Sequence, residues 1–228
     1  MSDYIELRRN AGRVRAADLP ALQQKAATGD LPSQLLLAML YQLGCGVIPR
    51  DLGQDQAWYH KAADQGSAIG ENQIGIYYDK GGPGHDMAEA FKWYHKAADR
   101  NDAVAQYNLG DMYAQGTGVQ QSFADAALWY RKAVENGYDH PLRGLTAIYH
   151  AGQALPGKSL EDNQKEGLAL LQSLANQGNA NAQFVLAEAY FSGWLGLQKD
   201  EQQALTWLRK AAEKDRRGIL PWCRRAQE

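Results

Sequence analysis

Tyr41-Gln42-Leu43-Gly44, Tyr78-Asp79-Lys80-Gly81, Tyr113-Ala114-Gln115-Gly116, Tyr149-His150-Ala151-Gly152 and Tyr190-Phe191-Ser192-Gly193 are five copies of one motif. Their tyrosines stand 37, 35, 36 and 41 residues apart. A second motif runs in phase with the first: Trp58-Tyr59-His60-Lys61-Ala62-Ala63, Trp93-Tyr94-His95-Lys96-Ala97-Ala98, Trp129-Tyr130-Arg131-Lys132-Ala133-Val134 and Trp207-Leu208-Arg209-Lys210-Ala211-Ala212. A period of this length marks an array of small units. Each unit is too small to bury its apolar face alone and stacks on its neighbours to do so.

Working outward, each unit holds two stretches of helical period. In the third, Ala105, Leu109, Met112 and Tyr113 fall at i, i+4, i+7 and i+8 on one helix face. Gly116 ends that helix, because glycine enters the left-handed cap conformation without a steric cost. The second stretch starts near Ser122 and carries Ala126, Ala127, Trp129, Tyr130, Ala133 and Val134. Capping-box spacing recurs at the second helices, in Asp51 with Gln54, Asp86 with Glu89 and Asp200 with Gln203, and more weakly in Ser122 with Asp125 and Ser159 with Asp162. Three residues before each tyrosine stands a small residue, Ala38, Gly75, Gly110, Thr146 or Ala187. Neighbouring helices are expected to touch there, with the aromatic rings filling the space. No segment alternates as a strand does. Unit four departs from the pattern: Leu170-Leu171 replaces the Trp-Tyr pair, and extra residues lie around 153–160.

Composition excludes several classes of function. Hydrophobic residues make up 45% of the 228, charged residues 22%, and the formal net charge is -2. That balance points to neither nucleic acid nor an anionic membrane as partner. No apolar run approaches a membrane span. Residues 1–15 carry Asp3, Glu6, Arg8, Arg9, Arg13 and Arg15 and resemble no signal peptide, so the expected compartment is the cytoplasm. The periplasm is the alternative if an export signal has been removed. Cys45 and Cys223 lie at opposite ends of the array and are not expected to pair.

At this point the residues resemble a family. Ala105-x-x-x-Leu109-Gly110-x-x-Tyr113-x-x-Gly116-x-Gly118-Val119, then Ala126, Trp129-Tyr130-x-Lys132-Ala133 and Gly137, is similar to the Sel-one-like repeat, a relative of the tetratricopeptide repeat. The resemblance implies an all-α fold, an α-solenoid superhelix of about five helix-pair repeats with terminal capping helices. The units are expected at about 32–66, 67–101, 102–137, 138–178 and 179–215. Residues 1–31 are read as a capping helix or degenerate half repeat, with the helical signal at 18–30. Residues 216–228 are read as the C-terminal cap, with Ile219, Leu220 and Trp222 turned inward.

The family also implies non-enzymatic work as a bacterial adaptor or scaffold in protein–protein interaction, or as an immunity protein against a secreted toxin. One secreted branch carries paired cysteines in every repeat, and some of its members are described as β-lactam-hydrolysing. This chain lacks those pairs.

Chemistry-bearing motifs are few, and no cofactor, metal or catalytic residue is expected. Gly152-Gln153-Ala154-Leu155-Pro156-Gly157-Lys158-Ser159 spells a phosphate loop. Such a loop needs a buried strand before it and an acidic strand end to hold Mg²⁺. Here a repeat helix precedes it and Pro156 removes an amide, so the stretch is read as an inter-helix insertion; a nucleotide or β-lactam hydrolase is the remote alternative. His60 and His95 are repeat-equivalent and stand too far apart to share a metal. His140 and His150 flank one helix, and His85 lies in a turn.

If first helices line a groove as in tetratricopeptide arrays, three positions face it: six before, two before and one after each tyrosine. These are Leu35, Met39 and Gln42; Asn72, Ile76 and Asp79; Tyr107, Asp111 and Ala114; Arg143, Ala147 and His150; and Phe184, Glu188 and Phe191. The candidate partner-binding residues are therefore Gln42, Asn72, Asp79, Tyr107, Asp111, Arg143, His150, Phe184, Glu188 and Phe191. Carboxylates among aromatics suit a protein or peptide partner with a basic segment held by apolar anchors.

Overall fold

The repeat signals become helices where the spacing places them. The structure, a computed structural model, describes residues 2–44, 47–80 and 85–214. These form α1 (Ser2–Ala11), a 3-10 turn (Ala16–Asp18), α2 (Leu19–Ala27), α3 (Leu31–Leu43), α4 (Leu52–Asp64), α5 (Ala68–Asp79), α6 (Met87–Asp99), α7 (Ala103–Gln115), α8 (Phe123–Glu135), α9 (Leu142–His150), α10 (Leu160–Asn176), α11 (Ala180–Ser192) and α12 (Glu201–Lys214). No strand occurs among the described residues, so the fold is all-α, as expected. The cap expected at 216–228 and both cysteines lie outside the described residues. The chain divides into two compact units, Met1–Gln121 and Ser122–Glu228.

Caps fix where each helix starts. Asp51 accepts from the amides of Gly53 and Gln54, and Asp86 from those of Ala88 and Glu89. Ser122, Ser159 and Asp200 each accept from the amide three residues on. These are the oxygens that the capping spacing named, and each satisfies an otherwise orphaned amide. First helices are capped in the same way by Asp30, Ser67, Asp102 and Asn179. Motif glycines stop them: Gly44, Gly116 and Gly193 are left-handed, with φ of 63°, 71° and 76°.

In unit two the small residue of the first helix meets a ring of the second. A Cβ on Gly75 would lie 2.6 Å from Tyr94 Cδ1, so only glycine lets that ring come so close. Tyr59 and Tyr94 are buried, and burial pushes both phenols above their usual range. Their hydroxyls still find acceptors on the first helix, Gln42 Oε1 at 3.2 Å and Asp79 Oδ2 at 3.0 Å. Buried phenols are paired because an unpaired hydroxyl in an apolar core costs about 1–3 kcal/mol.

A second tie joins three of the first helices to the second helix before them. The side-chain amides of Gln34, Gln106 and Gln183 donate to the carbonyls of Ala26, Ala98 and Ala175, each eight residues back. Those carbonyls belong to the last turns of α2, α6 and α10, which have no partner within the helix. On the second helices Lys61, Lys96, Lys132 and Lys210 lie over Trp58, Trp93, Trp129 and Trp207 at 3.8 to 4.0 Å from the ring centroids. This explains why lysine stands three after each of these four tryptophans.

Residues 153–159 form the expected irregular connection, and Leu160 opens α10. Asn163 pins it: its Oδ1 accepts from the Leu155 amide at 2.8 Å, and its Nδ2 donates to the Ser159 carbonyl at 3.0 Å. The Leu155 amide is therefore committed to a side chain, and α9 stands where a phosphate loop needs a strand.

Candidate functional site

In the N-terminal unit part of the expected groove face is buried, although Leu35 also lines a pocket with Leu7 and Leu36. Leu35 and Met39 are buried, at 9% and 0% exposure. The element responsible is α1, which packs on α3 and brings Tyr4 and Leu7 against the apolar clusters around those residues. Tyr4 also shares a hydrogen bond with Gln73 of α5. The helical signal read at 18–30 is α2, and α1 is an addition to it.

Three candidate partner-binding residues of this unit hold helices together. Gln42 donates to Gln73 Oε1 at 3.1 Å while accepting from Tyr59. Asp79 accepts from Tyr94. Asn72 is 5% exposed and accepts from Asn108 at 3.4 Å. A side chain that satisfies a buried partner is not available to a ligand without leaving that partner unpaired. Tyr107 and Asp111 stand half-buried on α7.

The C-terminal unit is different. His150 acts as a bracket within the fold: it stacks on Trp194, with centroids 5.7 Å apart, and its Nδ1 accepts from the Leu195 amide at 3.1 Å. That bond leaves the proton of the neutral ring on Nε2. Arg143, Phe184, Glu188 and Phe191, however, come together around one pocket of about 480 Å³. Ala187 and Trp194 lie on the same side, and α12 closes the other with Leu205 and Leu208. Trp194, Leu205 and Leu208 were not among the sequence candidates; they belong to the loop after α11 and to the second helix. The signal that could have found them is Leu208 itself, at a position where units one to three carry tyrosine.

Apolar side chains dominate the walls, and the polar groups are few and placed. Phe191 is 63% exposed and Leu205 45%. Arg143 Nη2 lies 3.1 Å from Glu188 Oε1. Glu188 Oε2 is buried and has no hydrogen-bond partner. Burial raises the Glu188 carboxyl above the usual carboxylate range, and Arg143 pulls partly the other way. An apolar concavity with one under-satisfied acceptor can hold an apolar or aromatic group and orient it by a single donor.

Other sites are thin. Among the described residues no three His, Cys, Asp or Glu side chains gather as a metal site, and no helix is long and apolar enough to cross a membrane. His60 lies edge-on against Trp93, and His95 pairs with Asp99 at 3.0 Å.

Comparison with known proteins agrees with the architecture. The Sel1 repeat pattern matches residues 31–67, 68–102, 103–138, 145–179 and 180–215. The structure is similar to that of a Sel1 repeat protein from Oxalobacter formigenes, with a TM-score of 0.74 and 30% identity over 92% of this chain and 83% of that one. It is also similar to c5321, a protective antigen of uropathogenic Escherichia coli strains that displays an SLR fold, with a TM-score of 0.72 and 27% identity. There the match covers 86% of this chain but only 41% of the other, so this chain spans less than half the length of that relative. No curated protein matches the chain. Sel1 repeat proteins are generally non-catalytic scaffolds that bind other proteins. With five repeats matched in phase and no strand among the described residues, the chain belongs to the Sel1 repeat family.

Proposed function

We propose that this protein is a non-enzymatic adaptor that holds a protein or peptide partner on the C-terminal unit, at the pocket between α11 and α12. The observation that carries this reading is the contrast between Phe191 and its equivalents. Gln42 and Asp79 are tied to the tyrosines of their own units, whereas Phe191 is an exposed aromatic beside a pocket. Exposed aromatics around a concave site are the usual anchors of protein recognition, and they carry most of the binding energy. A pocket of this size takes one or two side chains of a short segment. Neutralising a folded toxin would require roughly 800 Å² on each partner, much more than this pocket supplies.

The test is partner capture from the source cell, with the parent and the Phe184→Ala and Phe191→Ala proteins compared side by side. Loss of about tenfold or more in affinity, which is ~1.4 kcal/mol, is expected for either truncation. A partner that binds both variants like the parent would place its seat on another face.

A further inference from the structure

The pocket has an origin within the repeat. In units one and two a tyrosine of the second helix, Tyr59 or Tyr94, is buried and donates its hydroxyl to the first helix. In unit five the equivalent residue is Leu208, and it lines the pocket. The small residue that receives the ring elsewhere is still present: Ala187 takes the place of Gly75 and lines the same pocket. The hydroxyl's acceptor is not, because Phe191 stands where Gln42 and Asp79 stand. Another acceptor lies at the site, however, since Glu188 Oε2 is buried there without a donor. Unit five thus keeps a ring seat and a hydroxyl acceptor but has no ring of its own.

We propose that the pocket is a tyrosine seat, filled by a phenol side chain of the partner segment, whose ring lies against Ala187 and Leu208 and whose hydroxyl donates to Glu188 Oε2. This deepens the adaptor reading and rests on it. Charge complementarity favours a phenol over a plain ring. A buried carboxylate oxygen without a donor is costly, and a hydrogen bond to a charged acceptor contributes more than one to a neutral acceptor. The Arg143 guanidinium lies against Oε1 and no group of the protein donates to the buried Oε2, so the Glu188 side chain, 29% exposed, turns that oxygen toward the pocket when the phenol enters. The raised carboxyl of Glu188 shows that the protein itself solvates that charge poorly. A site built to bond a hydroxyl rejects the analogue that lacks it, because its polar group is then left unpaired.

The experiment uses N-acetyltyrosinamide and N-acetylphenylalaninamide as probes, followed by the indole N–H signal of Trp194 in ¹⁵N NMR. The tyrosine amide is expected to shift that signal saturably and at least threefold more tightly than the phenylalanine amide. Glu188→Met should abolish the preference. Leu208→Tyr restores the residue found in units one to three; it should abolish the shift while melting at or above the parent temperature. Three results would overturn the proposal: no saturable shift with either probe, equal affinity for the two, or a Leu208→Tyr protein that melts well below the parent, since the ring then does not fit. If the probes fail while Phe184→Ala still releases the captured partner, the seat is wrong and the adaptor reading stands. If the probes bind and the truncations leave capture unchanged, the seat is real but the adaptor reading has the wrong face.

Discussion

Repeat two and repeat five are built on one template and differ in how it is filled. In repeat two the ring of Tyr94 packs against Gly75 and its hydroxyl ends on Asp79, so every part of the template is occupied from within. In repeat five Leu208 and Phe191 replace Tyr94 and Asp79, and a pocket opens beside an unpaired carboxylate oxygen. The two substitutions remove a core ring and expose another. A repeat array can tolerate this in one unit because stability is close to a sum over units and their nearest neighbours. Sequence change at a structural position thereby opens a pocket.

The most forceful way to break this comparison is to empty both seats. Tyr94→Ala should cost about 3–5 kcal/mol, since a fully buried ring leaves a cavity that cannot collapse around Gly75. Leu208→Ala should cost less than about 2 kcal/mol, because the space beside it is already open. Urea denaturation measures both, and equal losses would show that repeat five is packed like repeat two.

The next effect concerns the other face that the array leaves available. In the N-terminal unit α1 covers Leu35 and Met39 with Tyr4 and Leu7. Truncating both, Tyr4→Ala with Leu7→Ala, should cost roughly 2–3 kcal/mol of buried apolar area and raise the fluorescence of a hydrophobic dye. Unchanged stability together with unchanged dye binding would mean that α1 does not cover this face.

A third contrast compares two buried polar residues of second helices. Asp55 stands where other second helices carry buried alanine, Ala90, Ala126 or Ala204, and Asn163 stands four residues after its cap Ser159, as Asp55 does after Asp51. Asn163 is fully satisfied by the connection it pins, whereas Asp55 is 2% exposed with an unpartnered Oδ1. Burial pushes the Asp55 carboxyl up to about 6, and the Gln56 amide and Arg50 offset this only in part. The folded protein therefore takes up a proton more readily than the unfolded chain. Stability from this group is fully present below the usual carboxylate value and is lost as pH rises through about 6. Asp55→Ala should add on the order of 1–3 kcal/mol at pH 7 and progressively less as pH falls toward 4. A gain that is the same at pH 4 and pH 7 would show that the charge is not the cause.

The smallest effect is expected at the insertion of repeat four. Lys158 is exposed in a connection held by Asn163, so Lys158→Ala should change stability by no more than ~0.5 kcal/mol. ATP should not bind the parent. Saturable ATP binding that Lys158→Ala removes would return the phosphate-loop reading to consideration.

The candidate site was only partly legible. Arg143, Phe184, Glu188 and Phe191 were picked out by register alone, since a fixed period carries a position in one unit to all the others. The same register chose Gln42, Asn72, Asp79 and His150. Each is a polar side chain bonded to another helix or to a loop: Tyr59, Asn108, Tyr94 or the Leu195 amide. A one-dimensional pattern holds no information on which polar groups satisfy one another, because that depends on distances across the fold.

What the sequence determined by itself is what short-range chemistry controls. Tyrosine spacing set the period, Asp and Ser caps set the helix starts, Gly44, Gly116 and Gly193 set the stops, and lysine three after tryptophan set the ring contacts. Each of these acts within about one helical turn, so it can be read locally. Tertiary structure alone decided which copies of the groove face are closed and which are open. Leu35 and Phe184 are equivalent in the repeat, yet Leu35 is 9% exposed beside Leu7 of α1, whereas Phe184 lines the pocket that α12 closes. That outcome depends on residues about 30 positions away in one case and on a missing tyrosine ring in the other. Both are long-range packing effects, and no local pattern encodes them.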